Sequence, residues 1–198
     1  ADVLQIAEDR DYQSEMLSDI KEKLKTDGLC ASARIKQISN LIAAFENSRA
    51  NLALQPFNLL LHINLRQAMR IERWRRLAGA SIPQWVDAAA DFEALVSIAI
   101  FTHENCDYKF PEFITDKASF EAIELGHPLL HPDKCVRNKV SLDEDKRLIL
   151  ISGSNMAGKS TFLRSVGINI VLAQMGAPVC ARKLKLSPFS LGCSIQIE

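Results

Sequence analysis

Leu148-Ile149-Leu150-Ile151-Ser152-Gly153-Ser154-Asn155-Met156-Ala157-Gly158-Lys159-Ser160-Thr161 decides how the rest of the chain is read. Five residues of strand-forming character run into a loop that satisfies G-x-x-x-x-G-K-[ST] at every fixed position. A helix-compatible apolar run from Lys159 to Gln174 follows. Strand, glycine loop and helix in that order predict a phosphate-binding P-loop. Each position has a physical reason. Gly153 and Gly158 permit backbone angles closed to other residues and let the main chain approach an anion. The backbone from Ser154 through Asn155, Met156 and Ala157 to Lys159 points consecutive N–H groups inward at a helix N-terminus, a nest for phosphate oxygens. Lys159 reaches the β- and γ-phosphates as a point charge, the Ser160 hydroxyl ligates Mg²⁺, and Thr161 adds contacts near the α-phosphate. The plain alternative is a glycine turn joining a strand to a helix with no ligand.

Working outward, the composition is that of an ordinary globular protein. Of 198 residues, 47% are apolar and 24% charged, and lysine plus arginine balance aspartate plus glutamate at 24 each. No global field therefore draws the chain to nucleic acid or to a membrane; any DNA contact needs a local patch or surface elsewhere. The five cysteines, Cys30, Cys106, Cys135, Cys180 and Cys193, form no C-x-x-C pair and read as buried or incidental thiols of a reducing compartment. No signal peptide is evident, and the most apolar run, Phe57 to Leu65, is too short to span a bilayer. A cytoplasmic protein without membrane contact is expected.

Upstream of the loop the pattern is helical. Apolar positions from Val3 to Leu24 predict a helix over 2 to about 25, ended by Thr26-Asp27-Gly28. Ile35, Ile38, Leu41, Ile42 and Phe45 mark a second helix, Ser32 to about Gln55, and Pro56 separates it from a third, Phe57 to about Ala78. The third carries Arg66, Arg70, Arg73, Arg75 and Arg76 around Trp74, either a DNA-touching face or a solvated one paired with acids such as Glu72. Ser81-Ile82-Pro83 opens a helix with the clearest period in the chain: Trp85, Ala88, Ala89, Phe92, Leu95, Val96, Ala99 and Ile100. That stripe is packing, and His103 extends it as a core or boundary residue. After Asn105 the texture changes to short runs and prolines, with extended segments expected at Glu121 to Leu125 and Val136 to Leu142. A chain that opens in mid-pattern reads as a piece of a longer protein.

The string GSNMAGKSTFLRSVGINIVLAQMGAPV (153–179) closely resembles the P-loop and following helix of the MutS family, the ATPases of DNA mismatch repair and their relatives. Asn155-Met156 is the informative pair, because ordinary P-loops do not require it. ELGHPLL (124–130) is similar to the family's opening strand and G-x-H-P turn. Cys135-Val136-Arg137-Asn138 sits where the family lays a short segment against the adenine. IPQWVDAAADFEALVSIAIFTHEN (82–105) is similar to the helix leading into the ATPase domain. Two positions depart from the pattern. Ser154 replaces a usual proline, and Cys135 stands where an aromatic residue often stacks on the base.

The resemblance implies a helical bundle or lever segment (1–110) followed by a partial α/β P-loop ATPase domain of ABC-like type (111–198). It implies ATP and Mg²⁺ as ligands, with Asn138 and the Val136 backbone contacting the base. It also implies DNA as a partner of the full-length protein, a homodimer through the ATPase domain, and ATP hydrolysis coupled to switching of the DNA-bound conformation. The acidic strand end and partner signature loop that hydrolysis needs do not occur after Lys159, so no complete catalytic set is expected in this chain. The rival reading is a non-catalytic helical dimerisation or interaction module with a vestigial glycine loop.

Overall fold

The computed structural model describes residues 2–50, 62–154, 157–192 and 194. Contacts divide the chain into two compact units, Ala1–Val96 and Ser97–Glu198; the division falls inside a helix, ahead of the change in texture after Asn105.

The first unit is helical. Two helices, α1 (Asp2–Asp9) and α2 (Glu15–Lys23), stand where one was expected. Ser14 at the start of α2 is extended, with φ −81° and ψ 130°, so the helix must restart there. The Lys21 ammonium donates to the Arg10 carbonyl at 2.6 Å and to the Asp11 carboxylate at 3.0 Å, holding the connection against α2. The stop at Thr26-Asp27-Gly28 is also a hairpin. Strands β1 (Lys25–Thr26) and β2 (Leu29–Cys30) pair antiparallel across it. Asp27 (φ 50°) and Gly28 (φ 74°) both take left-handed backbone, as a two-residue type I′ turn demands.

Helix α3 (Ala31–Ala50) begins against α1. The Glu8 carboxylate accepts the Ser32 N–H at 3.0 Å and the Ser32 hydroxyl, which places an anion at the helix N-terminus. The third expected helix is described from Ile63 to Ala78 (α4), and Phe57 to Leu61 lie outside the described residues. On α4, Arg75 and Arg76 pair with Glu72 at 2.8 and 3.1 Å, while Arg66, Arg70 and Arg73 stay exposed. A 3₁₀ turn (Gly79–Ser81) leads into α5 (Ile82–Glu104), with Pro83 in its first turn. Trp85, Ala88 and Phe92 of α5 join Leu4, Ile20, Leu24, Ala31, Trp74 and Ala78 in the first core. The indole N–H of Trp74 donates to the Arg34 carbonyl at 3.0 Å and that of Trp85 to the Thr26 hydroxyl at 3.2 Å. The stripe marks core only in its first half: Val96 and Ile100 are exposed. So is His103, which corrects its reading as a core or boundary residue.

The second unit is mixed α/β. Its sheet has the order β3 (Glu112–Phe113), β6 (Lys183–Leu186), β4 (Phe120–Leu125), β5 (Asn138–Leu142). Strand β4 runs antiparallel to both neighbours, and β3 runs parallel to β6. Helix α6 (Lys159–Gln174) buries Ile170 and Ala173 against Phe120, Ala122, Leu125, Val140, Leu184 and Leu186. It ends in a Schellman motif. Gly176 (φ 79°) donates to the Ala173 carbonyl at 3.0 Å and Ala177 to the Leu172 carbonyl at 2.9 Å.

The strand expected at Leu148 to Ser152 does not form a ladder. Among the described residues this stretch pairs with no strand. A central parallel strand needs neighbours at both edges and cover on both faces, and the described sheet offers it neither. The in–out alternation survives without them. Ile149 packs on the second core, while Leu148 and Leu150 are 82% and 89% exposed.

Candidate functional site

The glycine loop delivers the chain into α6 through Gly158, whose left-handed backbone (φ 81°, ψ 10°) costs a β-carbon-bearing residue about 1–2 kcal/mol. Phe162 N–H is the first to find an acceptor in the helix, the Gly158 carbonyl at 2.9 Å. The N–H groups of Lys159, Ser160 and Thr161 precede it and have no intrahelical acceptor, which is the general condition of a first turn. Ala157 N–H donates to the Ser154 carbonyl at 3.2 Å, a tight turn within the loop. The Lys159 ammonium donates to the Gly153 carbonyl and so closes the loop from its far side. Asn155 and Met156 lie outside the described residues.

A cleft of about 560 Å³ opens beside this helix start. Gly158, Lys159 and Thr161 line it on one side, and Val136 and Asn138, some twenty residues earlier in the chain, on the other. Its volume lies within the range of small-molecule sites. The Asn138 side-chain amide donates to the Val136 carbonyl at 3.3 Å, which fixes the short segment that presents both residues. Val136 is 77% exposed and leaves an apolar surface open at the rim. Ser160 faces differently. It lines a neighbouring groove of about 970 Å³ with Leu163, Arg164 and Gly167, and His127 borders both spaces. No aspartate or glutamate lines either cleft among the described residues, and no group of three or more His, Cys, Asp or Glu side chains there could hold a metal ion.

Residues 149–192 match the model of MutS domain V. The chain is 33% identical over 134 residues to the DNA mismatch repair protein MSH6 of Arabidopsis thaliana, covering 62% of this chain and 10% of that protein. It is 38% identical over 111 residues to the DNA mismatch repair protein MutS of Lysinibacillus sphaericus, covering 53% of this chain and 13% of that one. The endonuclease MutS2 of Thermus thermophilus is 28% identical over 192 residues, covering 89% of this chain and 25% of that protein. Across these stretches the chain is similar to proteins of the MutS family. It spans between 10% and 25% of the length of these three MutS-type relatives.

In the second unit, the residue that ties the segments around the cleft together is one the sequence did not single out. Asn169, fully buried in α6, donates to the carbonyls of Gly126 (2.9 Å) and Ser165 (2.7 Å) and accepts the Cys180 N–H at 2.7 Å. Three segments thus meet on one amide. Gly126 N–H donates to the Cys180 carbonyl at 2.7 Å, and a bulge in β4 between Ala122 and Leu125, with Glu124 at φ 53°, turns the chain into that contact. Gly126 is required by space: a β-carbon there would stand 2.6 Å from Cys135 Sγ and 3.0 Å from Cys180 Sγ. Burial pushes the Cys180 thiol and the Tyr108 hydroxyl up from their ordinary pKa values. The signal that could have found Asn169 is a lone amide on the apolar face of a helix, which must be satisfied if it is buried.

Proposed function

We propose that the second unit is the phosphate-gripping part of a MutS-type ATPase site, that its ligand is Mg·ATP, and that the whole protein uses this site to switch its hold on DNA. One observation carries the reading: Gly158, Lys159 and Thr161 share a cleft with Val136 and Asn138. A helix N-terminus with a lysine suits a polyphosphate, and an exposed valine beside an amide suits a heterocyclic base.

The residues present fit such a ligand. The first-turn N–H groups of α6 would bind phosphate oxygens, and Lys159, exchanging the Gly153 carbonyl for an oxyanion, would neutralise charge between the β- and γ-phosphates. Thr161 would orient the α-phosphate. Magnesium takes few protein ligands and several phosphate oxygens and waters; the Ser160 hydroxyl, which lines the neighbouring groove, is the contact this chain would offer it. Bound there, the metal ion would supply charge neutralisation across the phosphates. Val136 and Asn138 would set the base, with less stacking than an aromatic residue at position 135 provides. Holding and aiming an attacking water is a separate task that needs a group positioned for it; no carboxylate lines the cleft among the described residues. The reading for this chain is therefore binding, with turnover in the full-length protein completed by other elements and a homodimeric ATPase interface. Two of the relatives above are named for DNA mismatch repair and one as an endonuclease. The shared element is action on DNA.

Titrating the chain with Mg·ATP while following its melting tests this directly. At a ligand concentration 100 times Kd, binding to the folded form adds about 2.7 kcal/mol. Lys159→Ala should lose that stabilisation while keeping the melting temperature of the unliganded protein. Equal stabilisation of both proteins sinks the assignment; no shift at millimolar nucleotide in either favours the interaction-module alternative. Ser160→Ala should bind ATP in the presence of a chelator as the parent does and lose only the gain that magnesium brings.

A further inference from the structure

The second unit brings together two cysteines that lie 45 positions apart in the chain, Cys135 and Cys180. Both sulfurs border the space where a Gly126 side chain would stand, 2.6 and 3.0 Å from that point, so they can be no further apart than those two lengths laid end to end. The lack of a side chain at Gly126 is what lets them meet. Backbone bonds fix the surroundings. Cys180 is held by Gly126 and Asn169 at 2.7 Å each, and the His127 N–H donates to Cys135 Sγ at 3.3 Å. The two thiols are unequal. Cys180 is 2% exposed and touches the Tyr108 hydroxyl, whereas Cys135 is half-buried and open to small reagents. Arg137 lies beside them, its Cγ 3.7 Å from the same Gly126 point.

We infer that Cys135 and Cys180 are an oxidisable pair, with Cys135 the reacting thiol and Cys180 the resolving one, and that their disulfide stiffens the base side of the cleft lined by Val136 and Asn138. The oxidant is hydrogen peroxide. The Cys135 thiolate attacks one peroxide oxygen, the O–O bond breaks, and hydroxide leaves with a sulfenic acid formed on Cys135. Cys180 then gives up its proton and attacks the Cys135 sulfur; the S–O bond breaks and water leaves. Two thiols are oxidised by two electrons and one peroxide is reduced to two waters. The bond would tie residue 135, adjacent to Val136, to the segment just before β6, which Asn169 anchors to α6. The base side of the cleft then loses its freedom to adjust. This second half of the inference rests on the nucleotide reading proposed above; the chemistry of the pair does not.

The test uses the whole chain carrying Cys30→Ser, Cys106→Ser and Cys193→Ser, so that only the pair remains. Brief hydrogen peroxide treatment should give a monomer lighter by two hydrogen atoms and a cross-linked 135–180 peptide, both reversed by dithiothreitol. Cys180→Ser should instead accumulate a sulfenic acid trapped by dimedone, and Cys135→Ser, a change at a half-exposed position, should resist oxidation. Oxygen addition at Cys135 with no cross-linked peptide overturns the pair. Separately, oxidation should weaken the Mg·ATP-induced melting shift, moving its half-maximal concentration about 5-fold or more. A cross-link that leaves that concentration unchanged overturns the control of the cleft and spares the pair. If the reduced protein shows no shift at all, the nucleotide reading fails while the cross-link still decides the chemistry.

Discussion

Asn169 shows how much one amide can carry. Replacing it with leucine keeps the branched outline of the side chain and removes every partner, leaving the Cys180 N–H and the Gly126 carbonyl buried and without it. A buried group stripped of its hydrogen bond costs about 1–3 kcal/mol, so Asn169→Leu should lower the denaturation free energy by at least that amount. A loss under about 0.5 kcal/mol, the range of ordinary surface changes, would contradict the geometry. Glu72 sits at the other extreme. Hydrogen bonds from Arg75 and then Arg76 hold its carboxyl down to about 2. Its contribution is thus complete above the ordinary carboxylate value of about 4.3 and is lost as pH falls through the folded value. An NMR titration of Glu72 with a midpoint near the ordinary value would refute the pairing. Both cases bear on what residues disclose by themselves. Gly158 was legible because a fixed motif position demanded its backbone angle. Glu72 was legible because its arginines lie three and four residues away. Asn169 was not, because an amide among apolar helix residues looks the same whether it faces water or three backbone groups.

Elements declared themselves wherever local rules sufficed. Helix α6 occupies the stretch its pattern gave, from Lys159 to Gln174, and α5 begins at Ile82 beside its proline. The β1–β2 hairpin was equally written in Asp27-Gly28, a dipeptide suited to two left-handed residues, yet two-residue strands leave no periodicity to notice. Gly28→Val should therefore destabilise the first unit by about 1–2 kcal/mol, since a β-branched residue resists φ 74°. No β-carbon clash contributes, because nothing lies within 4 Å of that position. Tryptophan fluorescence is a fitting readout, as Trp74 and Trp85 both sit in the first core. An unchanged midpoint would mean that the turn adopts another form. Residues 148–152 failed the same kind of reading for a non-local reason. Their alternation specifies an extended chain, but a strand exists only where another supplies its hydrogen bonds.

At the scale of the molecule, alkaline pH should act on the second unit through its buried acids. Cys180 and Tyr108 are both held above their ordinary values, chiefly by burial. The fold excludes their charged forms. Stability is then complete below the ordinary thiol value of about 8.5 and is lost as pH rises from there through the raised folded values. Denaturation midpoints that do not fall between about pH 7 and pH 10 would count against this, and Cys180→Ser should flatten the decline. The exposed alternation at Leu148 and Leu150 has a consequence of another kind, in the handling of the protein. It presents unpaired backbone and bare leucines, the features that template edge-to-edge growth between molecules. A formal net charge of zero at pH 7 supplies no repulsion to keep copies apart. Light scattering at neutral pH and low salt should therefore rise steeply with concentration, and Leu150→Lys should delay that rise while leaving the melting temperature alone.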